Sequence, residues 1–159
     1  GKSIEERPER INKRENIGDF EIDTVIQTRA KNECLLTLTD RKSRYQIIRL
    51  IPDKSAFSVN QALKAILKDY QMNSITADNG AEFSRLAEVF DPTHIYYAHP
   101  YSSWERGTNE NHNRLIRRWL PKGSKNATQQ QVAFIENWIN NYPKKLFNYK
   151  SPKEFLQTG

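Results

Sequence analysis

A chain of 159 residues with 36% apolar and 11% aromatic content is sized for one domain with a real core, which excludes a disordered polymer. No apolar run approaches the roughly 20 residues of a membrane span, and a single cysteine, Cys34, excludes an internal disulfide scaffold. The net charge is +6, and residues 101–159 carry all of it, with ten Lys and Arg against four Asp and Glu; segregated positive charge favours a polyanionic partner, and a basic surface kept for solubility is the plain alternative.

Residues 1–17 are charged throughout and lack a clear period, so they read as an arm or linker rather than a secretory signal; with Cys34 alone, a reducing, cytoplasmic setting is expected. GDFEIDTVIQT (18–28) alternates, with Phe20, Ile22, Thr24 and Ile26 on one face and Glu21, Asp23 and Val25 on the other, which predicts a strand. CLLTLT (34–39) and YQIIRLI (45–51) are two more, joined by the polar turn DRKS into an antiparallel meander. Residues 55–71 place Val59, Leu63, Ile66 and Tyr70 on one helical stripe. SITADNG (74–80) is a short strand entering an Asn-Gly turn, and AEFSRLAEVF (81–90) predicts a short helix stopped by Asp91-Pro92. HIYYAHPY (94–101) is another strand. Glu110 heads a basic helix that buries Leu115, Ile116, Trp119 and Leu120. The last main helix, within 128–143, aligns Val132, Ile135, Ile139 and Tyr142. A meander followed by alternating strands and helices predicts an α/β fold, a mixed sheet covered on both faces.

Three acids stand in unusual places. Asp23 lies mid-strand, where Asp is disfavoured. Asp78 ends a strand directly before Asn79-Gly80, and Glu110 leads three arginines. Each has an ordinary reading alone: an edge residue, a turn cap, and a helix-dipole or Glu110–Arg114 ion pair. A central first strand beside a parallel neighbour carrying Asp78 would bring two of them together, and a helix crossing the sheet would add Glu110. Crowded carboxylates need a cation, and oxygen ligands suit Mg²⁺ or Mn²⁺. Glu110, Asn113, Arg114 and Arg117 share one helical face, so that phosphates of DNA could meet the arginines there. Glu21, Glu82 and Glu105 are rival carboxylates, Glu21 the best spare because it shares the face of Asp23. His94, His99 and His112 have no evident chemical role, and Trp104, Trp119 and Trp138 read as core or interface.

GDFEIDTV, LTDRKSRY, ITADNGAEF, PYSSWERGTNENHNRLIRRWLPKGS and NNYPKKLFNYKSPKEF, in that order, resemble the catalytic core of DDE transposases and retroviral-type integrases, above all the bacterial insertion-sequence-thirty transposases. The resemblance covers about residues 18 to 155. It implies a ribonuclease H-like fold with a five-stranded sheet, an integrase-type core over 18–159, and a catalytic, metal-holding triad of Asp23, Asp78 and Glu110, 55 and 32 positions apart. It also implies two Mg²⁺ or Mn²⁺ ions, DNA as partner and substrate, and a homodimer or larger assembly on DNA. Cleavage at transposon ends followed by strand transfer of the 3′-OH into target DNA is the expected activity; a nuclease without strand transfer and a non-catalytic DNA-binding remnant are the alternatives. Arg106, Asn113, Arg114, Arg117, Arg118 and Lys122 are the expected DNA contacts. Asp40 matches an acidic hairpin position and reads as structural. Ile22 and Asn148 depart from the small residue and the Gly frequent at those places.

Overall fold

A computed structural model describes residues 1–26, 33–100, 109–121 and 127–158. Its frame is the expected meander: β2 (Asp19–Ile26), β3 (Cys34–Asp40) and β4 (Gln46–Ile51) pair antiparallel, with Asp23 opposite Thr37 and Thr37 opposite Ile48. All seven residues of β3 are buried, because helices cover both faces of the sheet, which leaves this strand apolar and β-branched rather than alternating. β5 (Ser74–Ala77) joins the other side of β2 in parallel, and β6 (Ile95–Tyr97) joins β5 in parallel.

The sheet has six strands, not five. The extra one is β1 (Lys2–Ser3), parallel to β6, and the full order is β1-β6-β5-β2-β3-β4. Two residues are too few to show alternation, so this strand has no sequence signature. The segment read as an arm or linker is tied down further by α1 (Glu9–Asn12), by buried Ile4 and Ile11, and by buried Arg7, which donates to Thr76 Oγ1 at 3.2 Å.

Two apolar layers sandwich the sheet. On one face α2 (Ala56–Ile66) packs Val59, Leu63 and Ile66 against Ile22, Leu36, Leu38 and Ile47. Its start is capped by Ser55, whose hydroxyl accepts from Ser58 N at 3.1 Å. On the other face α3 (Asn109–Trp119) and α4 (Gln129–Asn140) bury Leu115, Ile116, Val132, Ile135 and Ile139 against Val25, Leu35 and Ile48. Thr128 and Gln131 form a reciprocal capping box at the start of α4. A terminal helix, α5 (Pro152–Thr158), follows. Ile116 is fully buried in this second layer, so Ile116→Ala is expected to cost about 2–5 kcal/mol in denaturant unfolding, with α3 loosened from the sheet.

The helix expected over 81–90 is instead a pair of 3-10 turns, Ala81–Phe83 and Leu86–Glu88. Phe83 and Leu86 are fully buried and Val89 packs against the same core, a spacing of three that suits 3.0 residues per turn better than 3.6. Arg85 leaves helical backbone at φ −120°, ψ 22° and separates the turns.

Candidate active site

β2 is central, flanked by β5 and β3, so Asp23 is not an edge residue. The parallel register pairs Glu21 with Thr76. The pairing ends there; Asp23 lies two residues further along β2, and Asp78 lies just past the last residue of β5, Ala77. Asp23 is half-buried; its Oδ1 accepts from Thr24 N at 2.9 Å and its Oδ2 from Asn113 Nδ2 at 3.4 Å. Asp78, also half-buried, accepts from Gly80 N at 2.7 Å, which closes the Asp-Asn-Gly turn.

Glu110 stands in the first turn of α3, one helical turn before Asn113, and its side chain lies outside the described residues. The Asn113–Asp23 contact brings α3 to Asp23. Among the described residues no three Asp, Glu, His or Cys gather as a metal site; the described acids here are a pair with oxygen-only donors, a set that fits a hard divalent cation.

The rival acids separate cleanly. Glu21 is fully buried and ion-paired to the buried guanidinium of Arg41, so it serves the fold. Asp40 is a turn anchor: its carboxylate accepts from the backbone N–H of Gly18, Lys42 and Ser43 at 2.8, 2.8 and 3.0 Å, while burial pushes its pKa up. Glu105 lies outside the described residues. Glu82, only 5% exposed, sits beside the Asp78 turn, where Thr24 Oγ1 donates to it at 3.0 Å and Lys54 Nζ approaches to 3.3 Å. Sequence reasoning placed Glu82 among the rivals and missed this position.

Of the expected DNA contacts, Arg114 and Arg118 are exposed and Asn113 and Arg117 half-buried, whereas Arg106 and Lys122 lie outside the described residues. Burial lowers the pKa of Arg117. Arg118 lies over the Trp138 ring, 5.9 Å from its centroid. Trp119 is not part of the buried side of α3. It is 42% exposed and makes edge-on contacts with Phe134 and Trp138, centroids 5.2 and 5.4 Å apart. Leu120 fills the layer instead. Trp104 lies outside the described residues. His94 and His99 are exposed beside Asp91 and Glu5, at 3.6 and 3.2 Å.

His112 points the opposite way from the acids. It is 1% exposed, its Nδ1 meets Gln46 Oε1 at 2.7 Å, and burial followed by Lys144 and Arg44 lowers its pKa to about 3. Cys34 is likewise buried, with its thiol pushed up to about 11 by burial. Its reaction with a thiol reagent in native buffer is expected to be at least about a hundredfold slower than in denaturant, read by absorbance.

Comparison with known proteins places these features. No family model matches the sequence. Over 160 residues, 99% of the chain, it is 44% identical to a protein of Streptococcus salivarius described as a probable transposase for insertion-like sequence element IS1161. This chain is similar to the insertion-sequence transposases. The transposase InsI for insertion sequence element IS30C of Escherichia coli strain K12 is 40% identical over 166 residues and the whole of this chain. The transposase-like chain spans about half the length of these relatives, 46% and 43% respectively. In fold it matches the catalytic core domain of BIV integrase, with a TM-score of 0.68 at 16% identity, covering 89% of this chain and 95% of that one. The transposase-like chain therefore has the integrase-core, ribonuclease H-like fold, with six strands. No helix among its described residues is long and apolar enough to cross a membrane.

Proposed function

We propose that this chain is the catalytic core of a DNA transposase, a polynucleotidyl transferase that hydrolyses phosphodiesters at transposon ends and joins the freed 3′-OH to target DNA. What supports this reading is Asp23 on the central strand, touched by Asn113 of α3, with Asp78 just past the end of the parallel neighbour β5, in a chain 44% identical to a probable transposase.

Asp23, Asp78 and Glu110 are the residues that would hold two Mg²⁺ or Mn²⁺ ions. When bound, such ions supply Lewis-acid stabilisation of the in-line displacement and raise the acidity of the attacking water or hydroxyl. The chain's own work is positioning. Thr24 N and Asn113 Nδ2 fix the two oxygens of Asp23, and Gly80 N fixes Asp78. A helix rooted in the second apolar layer carries Glu110 and the arginines on one rigid element. Arg106, Arg114, Arg117, Arg118 and Lys122 contact backbone phosphates with little sequence preference. No side-chain nucleophile is needed, because water and then the DNA 3′-OH attack. Two ends joined in one event call for two or more copies on the DNA.

The test is incubation of the chain, and of a full-length protein containing it, with element-end DNA, a target plasmid and Mg²⁺ or Mn²⁺. Joined products are expected. Cut ends that never join would reduce the protein to a nuclease, and DNA binding with no metal-dependent nicking would reduce it to a binding module. An Arg114→Ala, Arg118→Ala double variant is expected to weaken DNA binding about equally across sequences and to flatten its salt dependence by about two in the log–log slope, measured by fluorescence anisotropy.

A further inference from the structure

Glu82 is the polar group around the Asp23–Asp78 pair that the proposed chemistry does not use. It is buried, it accepts a hydrogen bond from Thr24, the neighbour of Asp23, and it reaches the Gly80 turn that holds Asp78. Asp23 Oδ1 accepts from Thr24 N at 2.9 Å, and the same Thr24 donates its hydroxyl to Glu82 Oε2 at 3.0 Å. Glu82 Oε1 occupies the space that a β-carbon on residue 80 would take, and Asp78 Oδ1 lies 2.9 Å from that point. Gly80 N in turn donates to Asp78 Oδ1 at 2.7 Å. Glu82 thus lies between Thr24, next to Asp23, and the Gly80 turn that holds Asp78, where the regular pairing of the two strands has stopped at Glu21 and Thr76. Lys54 Nζ approaches Glu82 Oε2 to 3.3 Å.

We infer that Glu82, with Thr24 and the side-chain-free Gly80, is a positioning device that sets the separation of the Asp23 and Asp78 carboxylates beyond the end of the β2–β5 ladder. The inference rests on the reading of these two acids as cation ligands. What a side chain at 80 meets is the Glu82 carboxylate and not backbone strain: φ is −62°, which any residue adopts, and a methyl there would displace the flexible end of Glu82 from its place beside Thr24. Thr24→Val removes the hydroxyl at nearly constant shape, and Thr24→Ser restores it. Groups that orient ligands from behind typically set metal affinity by 10- to 100-fold.

The experiment is Mn²⁺ binding to the DNA-free chain by calorimetry, for wild type, Thr24→Val, Thr24→Ser, Gly80→Ala and Asp78→Asn, with melting in metal-free buffer to select folded variants. Expected are wild-type binding that Asp78→Asn removes, a dissociation constant raised about tenfold or more in Thr24→Val and in Gly80→Ala, and recovery to within about twofold in Thr24→Ser. Should Thr24→Val fail to fold, Gly80→Ala carries the same expectation from the opposite side of Glu82. Wild-type affinity in a folded Thr24→Val or Gly80→Ala, no recovery with Ser, or no Mn²⁺ binding by the wild type would each overturn the inference. Strand transfer is scored separately: Mn²⁺ binding with the expected variant pattern but no joined DNA would sink the transposase reading and leave the positioning role standing.

Discussion

Asp78→Asn is expected to lower the rates of strand cleavage and strand transfer by at least about a thousandfold, while DNA affinity stays within about twofold of wild type. The substitution is nearly isosteric, and the amide oxygen can still accept from Gly80 N, so the turn that carries residue 78 survives. What is lost is one negative charge and one metal-binding oxygen. Asp23→Asn is expected to do the same. There the retained oxygen accepts from Thr24 N, and a flip of the Asn113 amide lets its Oδ1, which has no hydrogen-bond partner among the described residues, accept from the new amide. Neither change is expected to move the melting temperature by more than a few degrees. Gel assays of cleaved and joined products, beside anisotropy for DNA binding, separate chemistry from affinity. Retention of more than a tenth of wild-type cleavage by Asp78→Asn would remove that residue from the catalytic role.

The second large effect is on stability in acid. His112 is neutral in the fold, with its pKa lowered from 6.5 to about 3, chiefly by burial. The unfolded chain takes up a proton as pH falls through 6.5, and the folded chain does not until about 3. Protons therefore favour the unfolded state across that window, and stability falls by up to about 1.4 kcal/mol per pH unit from this one group, levelling off below pH 3. Above pH 6.5 the group contributes no slope. His112→Gln keeps a donor for Gln46 Oε1 and cannot titrate. Urea unfolding from pH 7 to 4 is expected to show a shallower decline for this variant, by close to one proton taken up on unfolding. Equal slopes would mean that water reaches the ring.

Much of the architecture was legible in local patterns. The alternation in FEIDTVI, the polar turn between CLLTLT and YQIIRLI, and the stripes of alternating three- and four-residue spacing around Val59–Ile66 and Val132–Ile139 each stand within a dozen residues, and the meander and two helices follow them. Asp40 reads as structural through the family resemblance, and the structure shows it anchoring its turn. Elements whose form depends on distant partners were less legible. β1 is a strand only because β6 presents an open edge to it. Residues 81–90 become 3-10 turns because the core accepts Phe83, Leu86 and Val89 at a spacing of three. Trp119 lies half on the surface against Phe134 and Trp138 of α4, a fact of packing and not of periodicity. Glu82 looked like one rival acid among several; its position depends on Thr24, 58 residues away, and on an empty volume at Gly80.

From residues alone came the sheet-forming alternation, the basic final third and the identities of three misplaced acids, since each is written in a short window whose physics is local. Tertiary structure alone decided that Asp23 lies on a central strand with β5 as its parallel neighbour, that α3 reaches Asp23 through Asn113, and that Glu21 is consumed by Arg41. The reason is that a parallel register couples residues across a long connection with no local trace. Which carboxylates end up side by side is settled by how the two apolar layers close on the sheet.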